Sequence, residues 1–489
     1  MKRSSGILLP VFSLPSPYGI GDLGKAAYAF VDFLSEAKQS YWQVLPIGPT
    51  SYGDSPYQSF SPMAGTPYFI DLEKLCERGL LTREELDAHR DTSVYIDYGR
   101  LYETRYPLLK KAFERAKEKG GHNSEFLSAH SSWLANYSLF MACKEHFGGR
   151  PYWEWPEDIR LRRKEALEHY CALLADEIGF QVFLQAEFYT QWFALRSYAN
   201  EKGVAIIGDL PIYMPRDSAD VWASPQNFLL DENGDPKGVA GVPPDYFNAD
   251  GQLWGNPLYD WDFMKNDGYG WWLRRIEGCA KLFDVIRIDH FRGLASYWRV
   301  PYGDDTARNG EWVKGPGMDF VGALREHFPE YPIIAEDLGY MSDDVKTLLA
   351  SSGYPGMKVL QFAFDSREPS DYLPHNYSSG CVCYTGTHDN TTLKAWFNEA
   401  SPEDVEFSKQ YLGLNENEGL CRGMLRGGMS SVAELFVACM QDYLESDASA
   451  RINTPGSIGA NWKWRMKNGD VSMDLAKEIG EMTRRYGRG

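Results

Sequence analysis

Four apolar runs of this chain each close on polar or charged side chains: "GVAIIGDLPIY" (203–213), "FDVIRIDHFRG" (283–293), "YPIIAEDLGY" (331–340) and "CVCYTGTHDN" (381–390). In the second, Arg287 and Asp289 are two residues apart, so on a strand both side chains project from one face. A guanidinium beside a carboxylate keeps it ionised and oriented, which suits a nucleophile; a purely structural ion pair reads equally well from the same letters. In the third run, the adjacent Glu336 and Asp337 point to opposite faces if the strand persists that far. One of them could face a pocket as a general acid, its pKa raised by the apolar lead-in, or Asp337 could cap a helix while Glu336 stays exposed. His388, Asp389 and Asn390 sit at a strand end ahead of a helix, where polar side chains commonly cap. Three such carboxylate-bearing strand ends, together with Asp209 of "IIGDLPIY", exceed what capping requires.

Rival chemistries find less support. His290, His388 and the carboxylates are possible metal ligands by type, but no H-E-x-x-H, P-loop or calcium-loop pattern occurs, and no metal is expected. The G-x-S-x-G nucleophile elbow is also absent. Gly19-Ile20-Gly21-Asp22-Leu23-Gly24 fits the dinucleotide pattern G-x-G-x-x-G by letters. Its approach, "SLPSPY", is too proline-rich for a central strand, and the acidic residues downstream, Asp32 and Glu36, fall within a helical pattern. The stretch therefore reads as a glycine turn with Asp22 near a helix N-cap, and no cofactor is expected. A second distinctive stretch, "GVPPDYFNADGQLWGNPLYDW" (241–261), is rich in Pro, Gly and aromatic residues. Read as a loop, it offers flat aromatic faces of the kind that stack on sugar rings; the alternative is a loop packed onto the domain by those same aromatics.

The elements that must position these groups follow from the spacing. Short apolar strands separated by helical patterns imply parallel β/α units. Acidic residues recurring just past the strands favour an α/β fold of the (β/α)8 TIM-barrel type over a doubly wound sheet, because barrel sites gather at the C-terminal ends of strands. Apolar positions from Leu23 to Leu34 predict a helix over 22–37. The stretch 82–199, rich in Glu, Lys, Leu and Ala, predicts a mostly helical insertion, and 214–262 a second insertion holding the aromatic stretch, within one catalytic barrel over 1–489. With 43% hydrophobic and 24% charged residues, the 489-residue chain has ample core. A formal net charge of -18 opposes nucleic-acid binding. No apolar stretch is long enough to span a bilayer, and the eight scattered cysteines show no zinc or C-x-x-C spacing; Cys381 and Cys383 share one face of a strand. A reduced, cytoplasmic setting is expected.

Taken together, "SPYGIGDLG", "WQVLPIGPT", "GDSPYQSFS", "GDLPIY", "GVPPDYFNADGQLWGNPLYDW", "IRIDHFRG", "AEDLG", "LQFAFD" and "TGTHDN" make the chain resemble, in order and over essentially its whole length, the 4-α-glucanotransferases (amylomaltases or disproportionating enzymes) of the α-amylase clan. The resemblance implies a (β/α)8 barrel and a retaining double displacement on maltooligosaccharides, with glucose or another α-1,4-glucan as acceptor. It implies Asp289 as nucleophile, Glu336 as general acid/base and Asp389 as transition-state stabiliser. It further implies Tyr57, Asp209, Arg287 and His388 around the donor sugar, and Tyr246, Phe247, Gln252 and Trp254 in an active-site loop.

Overall fold

The computed structural model describes residues 2–489 except 52, 121–123, 245–247 and 340. The described strands are β1 (Ser4–Leu8), β2 (Tyr41–Gln43), β3 (Ala205–Leu210), β4 (Val239–Val242), β5 (Gln252–Pro257), β6 (Val285–Ile288), β7 (Ser296–Val300), β8 (Glu311–Lys314), β9 (Ile333–Ala335), β10 (Gly356–Val359), β11 (Cys381–Tyr384) and β12 (Leu435–Cys439).

Eight of them form a parallel sheet in the order β10-β11-β12-β1-β2-β3-β6-β9. The two ends of that order meet, with the N–H of Ala335, the last residue of β9, donating to Pro355 O before β10 at 2.9 Å, so the sheet curls into a (β/α)8 barrel wrapped by helices. The period-two alternation of each strand separates inside from outside. Leu8, Ile207, Val285, Ile334, Met357, Val382, Tyr384, Leu435 and Val437 pack on one another within the barrel. Their neighbours Ile7, Ile206, Ile286, Ile333, Cys383 and Phe436 join the larger core beneath the helices. Cys381 and Cys383 both belong to that outer core, as their spacing predicts, and all eight cysteines are free thiols.

The helix predicted over 22–37 runs Lys25–Glu36. Its N-cap is Gly24, and Asp22, near the cap as expected, sits two residues earlier and accepts the Gly24 N–H at 3.0 Å while taking the Ser16 hydroxyl at 2.7 Å. The glycines serve close packing: a Cβ at Gly21 would lie 2.0 Å from Val11 O, and one at Gly24 2.8 Å from the Asp22 and Asp71 carboxylates. Between β2 and β3 the described elements from Leu72 to Glu201 are helices joined by turns, and the last of them, Ala175–Glu201, packs on β3 and on helix Lys25–Glu36.

A second, antiparallel sheet, β5-β4-β7-β8, stands over the barrel mouth. Its register pairs Leu253 with Gly241, Gly241 with Trp298 and Trp298 with Trp312. The aromatic stretch 241–261 is thus only partly a loop, since Gln252–Pro257 is β5. Its Pro and Gly content hides the strand, which takes its hydrogen bonds from β4 rather than from local propensity. The aromatics divide as well. Tyr259 is 1% exposed and donates its hydroxyl to Ile212 O at 2.7 Å, and Trp261 packs on Trp272, whereas Trp254 turns toward the barrel mouth.

Candidate active site

Register places the first pair of site residues. Asp209 on β3 stands directly opposite Arg287 on the adjacent β6. Arg287 Nη1 reaches both Asp209 oxygens, at 2.7 and 2.6 Å, and Asp289 Oδ1 at 3.0 Å, while the Tyr57 hydroxyl donates to Asp209 Oδ2 at 2.8 Å. The Arg287 and Asp209 side chains are 3% and 0% exposed, but that of Asp289 is 27% exposed. One guanidinium therefore anchors a hidden carboxylate and orients a second that reaches the cleft. Desolvation pushes the Asp289 carboxyl well up from its ordinary range, opposed by Arg287 and reinforced by Asp209, Glu336 and Asp389.

Just past Asp289 the backbone turns through His290 at φ 52, a left-handed conformation that His tolerates better than branched residues. The turn aims the His290 N–H at Glu336 Oε2, 2.6 Å away, while Leu338 N–H donates to Oε1 at 2.9 Å. Burial lowers the His290 ring to about 3, so it is neutral, and Trp254 meets it edge-on at 4.8 Å. Burial also raises Glu336, which keeps a proton available at the site. Asp337 points elsewhere: its Oδ1 accepts Met357 N–H at 2.6 Å, and it lies so near Gly356 that a Cβ there would come within 2.8 Å of it. The two adjacent carboxylates thus part company, Glu336 toward Asp289 and Asp337 toward the start of β10.

The third group follows β11. His388 is 3% exposed, stacks on the Tyr57 ring at 5.2 Å with an 18° interplanar angle, and is held neutral by burial. Its Nε2 lies 3.3 Å from Asp389 Oδ1, and the Asp389 side chain is 42% exposed at the cleft. Residues that sequence reasoning missed complete this corner. Asn453 Nδ2 donates to Asp389 Oδ1 at 2.6 Å, Arg451 Nη2 to Asp389 O at 2.7 Å, and Trp462 packs beside the Tyr57 and His388 rings. The segment "RINTPGSIGANW" that supplies them carries no acidic strand end and no motif spacing that would have singled it out. On β5, Gln252 Oε1 accepts Trp254 Nε1–H at 3.2 Å. Tyr246 and Phe247 lie outside the described residues.

The arrangement brings together carboxylates of different character around one buried cation, under an aromatic wall. Among the described residues there is no group of three or more His, Cys, Asp or Glu side chains able to hold a metal ion, and no helix is long and apolar enough to cross a membrane.

Comparison with known proteins agrees with this geometry. The 4-alpha-glucanotransferase family model matches residues 9–472. The 4-alpha-glucanotransferase of Clostridium butyricum is 46% identical over 98% of this chain and 99% of its own, and that of Thermus thermophilus 46% identical over 99% and 98%. Among solved structures, an amylomaltase from Streptococcus agalactiae in complex with acarbose superposes with a TM-score of 0.97 at 41% identity, covering 100% of both chains. A barrel of parallel strands with this site at its mouth, matched over nearly its full length, belongs to the 4-alpha-glucanotransferase family.

Proposed function

We propose that the chain moves a segment of an α-1,4-glucan from a maltooligosaccharide donor to the 4-hydroxyl of glucose or of another maltooligosaccharide, by two displacements that together retain configuration. The observation that carries this reading is the pairing of Asp289, oriented by Arg287 at 3.0 Å, with Glu336, whose carboxylate is tied to the very next residue, His290, at 2.6 Å. Glu336, raised by burial, protonates the glycosidic oxygen as Asp289 attacks the anomeric carbon, forming a covalent glycosyl-enzyme. Arg287 opposes the burial that raises Asp289 and so favours the anionic form that attacks. Retention requires the two carboxyls to be about 5 to 5.5 Å apart. Glu336 then takes the proton from the acceptor hydroxyl, and the new α-1,4 bond forms.

Asp389 and His388 grip ring hydroxyls more tightly as the sugar flattens toward an oxocarbenium ion, which is differential binding of the transition state. Tyr57 and Asp209 line the donor sugar beside Arg287. Gln252 and Trp254 on β5, together with Tyr246 and Phe247 of the same stretch of sequence, shield the intermediate from water and stack the acceptor. The acarbose held by the Streptococcus agalactiae relative is consistent with a glucan-shaped cleft. The whole chain acts as one catalytic barrel into which 82–199 and 214–262 are inserted. It works on neutral glucans rather than nucleic acid, with no metal or cofactor, and in the cytoplasm, where its eight free thiols stay reduced.

Incubation with maltotriose tests the reading. A transferase yields glucose and a ladder of longer maltooligosaccharides, whereas products no longer than maltotriose would mark a hydrolase on the same barrel and overturn it.

A further inference from the structure

Asp442 is a buried carboxylate that the chemistry above does not use. It lies in the short helix Met440–Tyr443 directly after β12 and is 2% exposed. Its Oδ2 accepts the Thr385 hydroxyl at 2.6 Å and its Oδ1 the Leu393 N–H at 2.8 Å. Thr385 is the first residue past β11, and Leu393 opens helix Leu393–Glu399, where its N–H has no partner within the helix. These two donors bracket the segment that carries His388 and Asp389. One carboxylate therefore gathers both ends of the segment that presents Asp389 to the cleft.

The interior of the segment is braced by its own contacts. Asn390 Oδ1 accepts from Thr387 N and Oγ1 at 2.8 and 3.0 Å, and Gln361 Nε2 donates to Thr391 O at 2.8 Å. Gln361 N–H also donates to Thr385 O at 3.2 Å, so Gln361 and Asp442 both span the segment, Asp442 through its outermost residues, Thr385 and Leu393. The titratable groups that face Asp442 are Cys439 on β12, Cys421 on helix Leu420–Ser430 and Tyr443 on its own helix, all pushed up and uncharged. Burial holds the Asp442 carboxyl up at about 6, with only the two donors opposing it. A protonated carboxyl still fits, because Thr385 can accept as well as donate while Leu393 N–H keeps the other oxygen. The same reasoning admits an Asn at this position and excludes an apolar residue, which would leave two buried donors without acceptors.

We propose that Asp442 is a positioning residue for glucan transfer, tying the two ends of segment 385–393 together so that Asp389 meets the donor sugar at the productive angle. This rests on the role given to Asp389 above.

A double-mutant cycle tests it, with kcat and KM for maltotriose and the thermal midpoint measured for each variant. Asp442→Ala is expected to lower kcat about 100-fold, the scale of a 1 Å misplacement, with KM within about threefold of wild type. Asp442→Asn should bring kcat back to within about tenfold of wild type, since its amide serves both partners. In an Asp389→Ala background, with the same maltotriose assay, adding Asp442→Ala should cost less than about threefold in kcat, because the group being positioned is gone. Should Asp442→Ala fail to fold, Thr385→Val removes one of the two ties and enters the same cycle, with an expected loss of about tenfold that likewise disappears beside Asp389→Ala. Losses that multiply across the cycle, or undiminished kcat in Asp442→Ala, overturn the proposal. Undiminished kcat in Asp389→Ala alone would instead overturn the role of Asp389, so the two failures are distinguishable.

Discussion

Replacing Glu336 by Gln separates proton transfer from everything else that residue does. Both of its carboxylate oxygens accept main-chain N–H groups, from His290 at 2.6 Å and Leu338 at 2.9 Å. Gln has one carbonyl oxygen, so one of those two N–H groups loses its acceptor, a structural cost of about 1 to 3 kcal/mol that a barrel of this size withstands. The chemical cost is larger. Loss of a positioned general acid lowers the rate by about 10²- to 10⁴-fold, equivalent to about 3 to 5 kcal/mol of transition-state energy. The assay compares two substrate pairs. With maltotriose the initial rate of glucose release should fall by that factor. With α-glucosyl fluoride as donor and azide as acceptor, neither the departing fluoride nor the attacking azide needs a proton transfer, so the variant should approach the wild-type rate and form α-glucosyl azide. The alkaline limb of the wild-type pH profile should also vanish with that pair, because Glu336 acts as an acid only below its raised pKa and activity is lost as pH rises through it. Asp337→Asn is the control, since an amide oxygen can still accept Met357 N–H. Maltotriose activity within tenfold of wild type in Glu336→Gln, or its loss in Asp337→Asn instead, would refute the assignment.

Three further substitutions have expected outcomes. Arg287→Met removes the cation shared by Asp209 and Asp289 and should destabilise the protein by about 3 to 5 kcal/mol, seen as a lowered thermal midpoint. In the same variant the acid limb of kcat/KM should move to higher pH, since Asp289 is already pushed up by burial and loses the charge that opposes it; an unmoved limb contradicts the nucleophile role. Trp254→Ala strips the aromatic face that meets His290 at 4.8 Å and should raise hydrolysis relative to transfer; an unchanged product ratio from maltotriose rules out water exclusion by that face. Asp442 has its carboxyl raised from 3.8 to about 6, so its contribution to stability is present below about pH 4 and lost as pH rises through 6. Asp442→Asn should therefore raise the thermal midpoint relative to wild type at pH 8, by up to about 3 kcal/mol in free energy, and bring no such gain at pH 4. Equal shifts at both pH values would show that the charge is not what burial penalises.

Much of this site is legible in one dimension because the chemistry sits at strand ends. Arg287 on β6 and Asp289 just past its end are two apart, and the alternation of an extended backbone puts them on one face. The apolar run before each acidic group marks the barrel, and the family motifs, in order, mark the reaction. Other features stay hidden because their causes are distant in sequence. Gln252–Pro257 looks like a loop until β4 pairs with it. Asp22 reads as lying near the helix N-cap, but the cap itself is Gly24, packed against two buried carboxylates.

Residue types and strand periodicity by themselves determined the parallel β/α architecture, the pairing of a cation with a carboxylate on one face, and the set of acidic groups from which the catalytic ones are drawn. Only the tertiary structure decided which of those groups share a cleft. Glu336 rather than Asp337 turns toward Asp289 because His290, in a left-handed turn, offers its N–H there while Met357 claims the other carboxylate. Asp209 becomes the hidden anchor of Arg287 because β3 and β6 are neighbours in register. Asn453 and Asp442 both reach the Asp389 segment because β12 pairs with β11 in parallel register, so the chain beyond β12 passes beside the end of β11. The physical reason is common to all three. A side chain's role here is set by which backbone donors and charges the barrel packs within about 3 Å of it, and those partners lie on strands and turns far away in the sequence.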